Sequence, residues 1–437
     1  MLPVTRQMNE QSEVSRWSPA QRIGFRFCLV YFGLFCLTTQ ILPSLNPLVN
    51  VEIADPATLW PIRQIVFWTA SHVFGVSHAL VYEGSGSGDK TFDWVLAFCV
   101  LVAAALVTGI WSAVDRRRNY SKLHAWFRVF LRFALASQMF VYGMSKAVPL
   151  QMPYPYLAKL LEPFGQFSPM GILWYSIGAS PAYEIFAGCA EMLGGILLIV
   201  PRTAMLGALV CLADMTQVFA LNMTYDVPVK LFSFHLILMS LFLLAPDARR
   251  LAAFFLNRAV DAARQPQLFA TRRANTIALA AQIVFGIWLI GANVYGSRIS
   301  WHTYGGGRPK PALYGIWDVD QMSIDGQLRP PLLTDGDRWR RAIFDSPNRL
   351  TFERADDTYT GYGAAIDVNH NTLALTKPAD KKWAAHFAFA RPAKDRLTLD
   401  GEMDGHTVHI ELRLFDRNRF LLVSRGFHWI QEYPLNR

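Results

Sequence analysis

Four apolar segments between Trp126 and Pro246 decide how this chain is read: WFRVFLRFALASQMFVYGMSKAV (126–148), YEIFAGCAEMLGGILLIV (183–200), TAMLGALVCLADMTQVFAL (203–221) and VKLFSFHLILMSLFLLA (229–245). Each is long enough to cross a bilayer. Yet Lys146, Glu184, Glu191, Asp214, Lys230 and His235 lie inside them or at their ends. A charge facing hydrocarbon costs several kcal/mol or more, so such groups face a bundle interior, a cavity or a partner charge. The pattern predicts a four-helix membrane core with a polar interior.

Composition agrees with a membrane domain joined to a soluble one. The 437 residues are 52% hydrophobic and 17% charged, against roughly 25% charged in soluble domains. Long apolar runs end near Gly296, and short alternating runs follow. The fold class is an α-helical polytopic bundle of about seven transmembrane helices plus a C-terminal all-β antiparallel barrel or sandwich. Besides the four segments above, residues 25–42, 92–114 and 277–296 read as spans. Residues 60–82 are long enough to be another, but a span there would put DRRRNYSK (115–122) on the opposite side from the N-terminus, so they are read as an interfacial or re-entrant piece. GSGSGDK (84–90) reads as a flexible linker.

Basic residues orient the bundle. Arg6, Arg16, Arg22 and Arg26, the DRRRNYSK loop, Arg202, and Arg249, Arg250, Arg258, Arg264, Arg272 and Arg273 all fall on one side of a seven-span arrangement. That side is expected to be cytoplasmic in a cell (inner) membrane, with the β domain extracytoplasmic, periplasmic where there are two membranes. The net charge of +9 is thus spent on topology and anionic headgroups, and no nucleic-acid motif is present. The first apolar run is too long for a cleavable signal and is expected to stay as an anchor. The expected organisation is a cytoplasmic segment (1–24), two spans with an outer-face amphipathic insert at 43–91 (25–125), the four-helix core (126–246), a basic cytoplasmic connection (247–275), the last span (276–297) and the β domain (298–437). The five cysteines all sit in apolar runs, with no Cys-x-x-Cys pair, and read as small buried residues.

The polar residues of the core recur on helical faces. Gln138, Tyr142 and Lys146 are four apart, Glu184 and Glu191 seven apart, Asp214 and Gln217 three apart. Asn222 ends the third segment, and Asp226 and Lys230 bracket Pro228 at the start of the fourth. Lys146, Glu184, Asp226 and Lys230 map to the outer end, with Glu191, Asp214 and His235 deeper. This predicts an outward-opening polar cavity. In a proton-linked site Lys146 serves as partner to an anion or carbonyl, Glu191 and Asp214 carry protons, and His235 acts as acid and base. Gln138, Tyr142, Glu184, Gln217, Asn222, Asp226 and Lys230 then line the ligand space. The competing reading is a salt-bridge network that only fixes helix packing.

YGMSK (142–146), EMLGGILLIVPRT (191–203) and the spacing of the four segments resemble DoxX-like integral membrane proteins. There a helix ending Gly-x-x-Lys precedes a span opening Glu-x-x-Gly-Gly-Leu-Leu and a Thr-Arg-type turn. Here the turn reads Arg202-Thr203, in reverse order. The family takes its name from a small subunit of a thiosulfate:quinone oxidoreductase. The resemblance implies a quinone in the core and a membrane redox partner subunit, making the chain a component of a quinone-linked oxidoreductase. No haem, flavin or iron–sulfur motif accompanies it. Two other classes stay open: a lipid or small-molecule transfer protein acting through the β domain, and a non-catalytic membrane assembly factor.

In the C-terminal region the expected strands are 315–324, 340–344, 349–354, 359–368, 372–376, 383–390, 396–403, 407–415 and 420–424, with turns at Asp325-Gly326 and Asp404-Gly405. Gly315-Ile-Trp317 resembles the Gly-x-Trp opening of lipocalin-type barrels. That resemblance implies that Trp317 closes one end, with a late arginine such as Arg425 packed over it. The histidines here are poorly spaced for a metal, and Ser424 lacks a nucleophile-elbow context, so neither a metal site nor a hydrolase is expected.

Overall fold

Residues 17–46, 54–260, 267–377 and 379–436 are described by the computed structural model. Arg6, Arg16, part of the outer insert (47–53) and Arg264 lie outside the described residues. The chain divides into two units: one holds the chain up to Gln151 together with Ala182–Ile299, the other Met152–Pro181 together with Ser300 onward.

The first unit is helical. Its helices are α1 (Pro19–Thr38), α2 (Ile41–Ser44), α3 (Ile62–His72), α4 (Thr91–Val114) and α5 (Ser121–Ala147). Two short helices, α6 (Leu157–Leu161) and α7 (Pro169–Gly178), belong to the second unit. The first resumes with α8 (Pro181–Ile199), α9 (Ala204–Thr224), α10 (Lys230–Leu244), α11 (Ala248–Phe255) and α12 (Arg272–Thr303). Serine caps set the starts of α1 and α7. Ser18 and Gln21 form a capping box with Pro19 at the first position of α1.

Among the described residues six helices are long and apolar enough to cross a membrane: α1, α4, α8, α9, α12 and the run starting with α10. The protein is therefore a multi-pass membrane protein. The expected seventh span, α5, forms a 27-residue helix but is not among the six, because Arg128, Arg132 and Lys146 reduce its hydropathy. Every residue from Leu131 to Phe140 is buried, so the surroundings of α5 are protein rather than lipid. α3 has 11 residues and a length of about 16 Å, against about 30 Å of hydrocarbon. Residues 60–82 therefore form no membrane-crossing helix.

The second unit contains an eight-stranded antiparallel barrel. Its strands are β1 (Gly315–Ile324), β2 (Gln327–Leu328), β3 (Trp339–Ser346), β4 (Arg349–Arg354), β5 (Tyr359–Asp367), β6 (Thr372–Lys377), β7 (Asp380–Ala393), β8 (Arg396–Met403) and β9 (His406–Leu414). From β3 onward each strand pairs with the next, β1 pairs with β3, and β9 returns to β1, closing the ring; β2 is a two-residue addition to β1. Asp325-Gly326 and Asp404-Gly405 have positive φ at both positions, as tight two-residue hairpins require. Trp317, Met322, Trp339, Phe344, Phe352 and Phe387 help fill the interior, as suits a ring of this size. Outside it, Leu157 of α6 packs on Ile316 and Ile343, and its amide donates to Asp345 at 2.9 Å. Burial pushes the Asp345 carboxyl above the usual carboxylate range.

The expected strand at 420–424 is helical instead: Leu421–Ser424 forms α13. Once β9 pairs with β1 no edge remains for another strand, so the segment coils and the Phe420 ring packs, tilted, on Phe415.

Candidate functional site

The site starts from two glycines. A Cβ on Gly188 of α8 would lie 2.3 Å from the backbone nitrogen of Ala147 and 2.5 Å from the carbonyl oxygen of Gly143. A Cβ on Gly143 would meet the Gly188 carbonyl oxygen at 2.9 Å. The backbones of α5 and α8 thus touch where neither residue has a side chain. This approach sets Lys146 against Glu191: Nζ lies 2.9 Å from Oε1 and 3.0 Å from Oε2, and both residues are buried. Asp214 of α9 is within electrostatic range of both, and its buried Oδ2 has no hydrogen-bond partner among the described residues. Glu184 is fully buried two turns before Glu191 in α8.

The Lys146 ammonium is 5.8 Å from the centre of the Tyr142 ring, a cation–π arrangement. Gln40 Nε2 donates to the Tyr142 hydroxyl at 2.8 Å and to Gln138 Oε1 at 3.1 Å. Gln138 in turn donates to Ser44. A hydrogen-bonded row from the end of α1 and from α2 therefore lies along the polar face of α5.

Tyr142 and Gln40 also border a cavity of about 320 Å³, at the small end of ligand-site volumes. Its apolar walls include Phe35, Phe92 and Phe232, and its polar lining includes Asp55, Lys90 and Asp93. Lys90 pairs with Asp93 at 3.2 Å. Burial holds the Asp55 carboxyl above the usual range, Lys90 opposes that, and Asp93 adds to it.

No family model matches the chain, and no solved structure matches it. A curated protein does: YwoB of Bacillus subtilis (strain 168) is 31% identical over 155 residues, which are 33% of this chain and 90% of YwoB. The chain belongs to the same family as YwoB. YwoB is itself uncharacterized, so membership brings no activity with it. Two thirds of the present chain lie outside the match with YwoB.

The remaining expected site residues are dispersed. His235 faces α1: Nε2 is 2.7 Å from the Tyr31 hydroxyl, Nδ1 is 2.7 Å from the Leu231 carbonyl oxygen, and the ring stacks on Phe35 at 3.9 Å. Asn222 donates to Ser233 Oγ at 3.0 Å and ties α9 to α10. Gln217 is exposed on α9. Asp226 is largely exposed and pairs with Lys230 at 2.9 Å. Lys230 also approaches Asp89 at 3.8 Å. The single cavity expected from sequence therefore resolves into the Lys146–Glu191–Asp214 cluster, the glutamine–tyrosine row, and a separate His235–Tyr31 contact.

Several residues carry no obvious sequence signal. Asp89 lies in the stretch read as a flexible linker, yet its carboxylate accepts from the Lys230 and Leu231 amides at 2.8 and 2.9 Å and so caps α10. Gly88 donates to the Pro228 carbonyl oxygen at 2.8 Å beside it. Gln40 and Ser44, four apart where the first apolar run ends, and Tyr31 within it were not among the expected site residues.

In the barrel, Trp317 donates to the Leu313 carbonyl oxygen at 2.9 Å, and Arg391 of β7 lies 5.7 Å from its ring. The expected Arg425 instead bonds His428 and Gln431. Among the described residues no group of three or more His, Cys, Asp or Glu could hold a metal ion.

Proposed function

We propose that the helical unit binds the polar head of an apolar carrier of the quinone class and handles a proton beside it. The observation that carries this is Tyr142. It borders the cavity, takes its hydrogen bond from Gln40, and places its ring over the Lys146 ammonium. A flat dicarbonyl ring suits aromatic walls from Phe35, Phe92 and Phe232, with Tyr142 and Lys90 as hydrogen-bond donors to its oxygens. As the ring gains electrons from a membrane redox partner, its carbonyl oxygens take up protons. Glu191 and Asp214 are the groups read as proton carriers, and Lys146 balances their charge. The DoxX-like pattern of YGMSK and EMLGGILLIVPRT supports the same ligand class.

The orientation we favour puts the RRR run at 116–118, Arg202, Arg249 and Arg250 in the cytoplasm and the barrel outside it. In a variant lacking its native cysteines, Lys394→Cys should react with an impermeant maleimide in intact spheroplasts, and Arg117→Cys only after lysis. The reverse pattern defeats this topology.

One observation favours a structural role instead. The Lys146–Glu191 pair is bidentate and charge-balanced, as a packing device would be. The test is mass spectrometry of small molecules copurifying with the intact protein in mild detergent, beside Lys146→Met, Glu191→Gln and Tyr142→Phe. A quinone held by wild type and depleted in folded variants supports the site. No specific ligand in wild type, with variants that only melt earlier, leaves the structural role. The filled barrel interior makes a docking role the better reading of that domain than carriage of a lipid.

A further inference from the structure

A second cavity of the helical unit, about 580 Å³, lies among the start of α5, the α8–α9 turn and the first half of α12. Among the described residues its lining carries Arg128, Arg132 and Arg202 and no carboxylate. Arg132 is buried; Nε donates to the Leu198 carbonyl oxygen at 2.7 Å and Nη2 to that of Ile199, closing the end of α8. Its Nη1 has no hydrogen bond among the described residues. Arg128 donates to the Leu243 carbonyl oxygen at 3.4 Å and pairs with Asp247 at 3.6 Å, an acid it shares with Arg250 at 2.7 Å. Arg202 is exposed, with no hydrogen bond or ion pair among the described residues. One shared carboxylate thus faces Arg128, while Arg132 and Arg202 have no acid partner among the described residues, and the cavity keeps an excess of positive charge.

Two further features point to an anion with a hydroxyl-bearing, amphiphilic body. The 21-residue helix α9 begins at the cavity with no side-chain cap, since Thr203 Oγ1 donates to the Leu197 carbonyl oxygen instead. Its first amides and its dipole favour a negative group there. Gln282, nine-tenths buried in the lining, has an Oε1 with no hydrogen-bond partner among the described residues, an acceptor that a ligand hydroxyl would satisfy. The other walls are apolar, with Val129, Val200, Leu268 and Leu279. Close by, Trp126 meets Phe269 edge to face at 5.5 Å.

We infer that this cavity binds the phosphodiester headgroup of an anionic phospholipid, its phosphate between Arg128, Arg132 and Arg202 and its acyl chains along the apolar wall. Free phosphate shares the charge but has no use for that wall. Basic pockets between membrane helices are the usual seats of such headgroups. This inference is independent of the quinone reading.

The test titrates full-length protein in neutral detergent with phosphatidylglycerol, phosphatidylcholine or inorganic phosphate and follows its melting temperature. Saturable protection by phosphatidylglycerol alone is expected. Arg202→Glu and Arg128→Gln should raise the half-saturating lipid concentration at least about tenfold, the size of a lost charged contact. Arg202 is exposed, so its variant should keep the lipid-free melting temperature. Arg249→Glu, outside the cavity, should protect like wild type. Equal protection by phosphatidylcholine, an unchanged titration in Arg202→Glu, or a loss of equal size in Arg249→Glu overturns the site. Full protection by inorganic phosphate overturns the lipid as its occupant.

Discussion

Lys146 holds both carboxylate oxygens of Glu191, at 2.9 and 3.0 Å, inside the helical unit. Removing one member of such a buried pair leaves an uncompensated charge. Lys146→Met or Glu191→Gln should each cost about 3–5 kcal/mol of stability, whereas replacing both by apolar residues should be close to neutral. Reversible unfolding in detergent, run as a double-mutant cycle, measures this. Additive losses would show that the two side chains do not act as a pair.

The pair depends on the approach of α5 and α8 at Gly143 and Gly188. A methyl group at 188 would run into backbone atoms that cannot move aside. Gly188→Ala should destabilise the helical unit by about 1–3 kcal/mol, the usual cost of overpacking. Gly109, on α4, has open space around the same atom, and Gly109→Ala should stay within about 0.5 kcal/mol of wild type. Equal melting temperatures for the two variants would refute the close approach.

Asp89 reaches 141 residues along the chain to the amide of Lys230. Asp89→Ala should cost about 1 kcal/mol, as loss of a helix cap does, and Asp89→Asn less. Amide hydrogen exchange at residues 230 and 231 should quicken in the alanine variant. Unchanged exchange there would mean that the cap is not formed in solution.

The barrel predicts a pH dependence. The hydrogen bond between His409 and Asp400 raises the histidine pKa above its ordinary value; burial opposes the shift, and Glu411 adds to it. A pKa raised by folding contributes stability that is fully present below the unfolded value of about 6.5 and is lost as pH rises through the folded value. The melting difference between wild type and His409→Gln should therefore be largest in mild acid and shrink above neutrality. A pH-independent difference would show that the pair does not titrate as described.

The sequence reading succeeded where one local rule was decisive. Asp404-Gly405 marks its hairpin because few residues accept that turn, and the four-residue spacing of Gln138, Tyr142 and Lys146 places them on one face of α5. It faltered on α9 and α10. In a membrane bundle the lipid side and the protein side are both apolar, so periodicity does not say that Gln217 faces outward or that His235 turns to Tyr31. Asp89 was hidden for another reason. Glycine and serine around it describe a pliable chain, and only the distant start of α10 gives its carboxylate a role. The segment at 420–424 has the composition of a strand, but whether it becomes one depends on an open sheet edge.

That sealed ring limits how the second unit meets other proteins. An incoming chain finds no exposed row of main-chain donors and acceptors to extend, apart from the short β2. Recognition must read the outer side chains and the turns, where Arg340 and Arg341 gather around Glu353. Such a module can be crowded against copies of itself without templating fibres, and a binding partner can come and go without unzipping it.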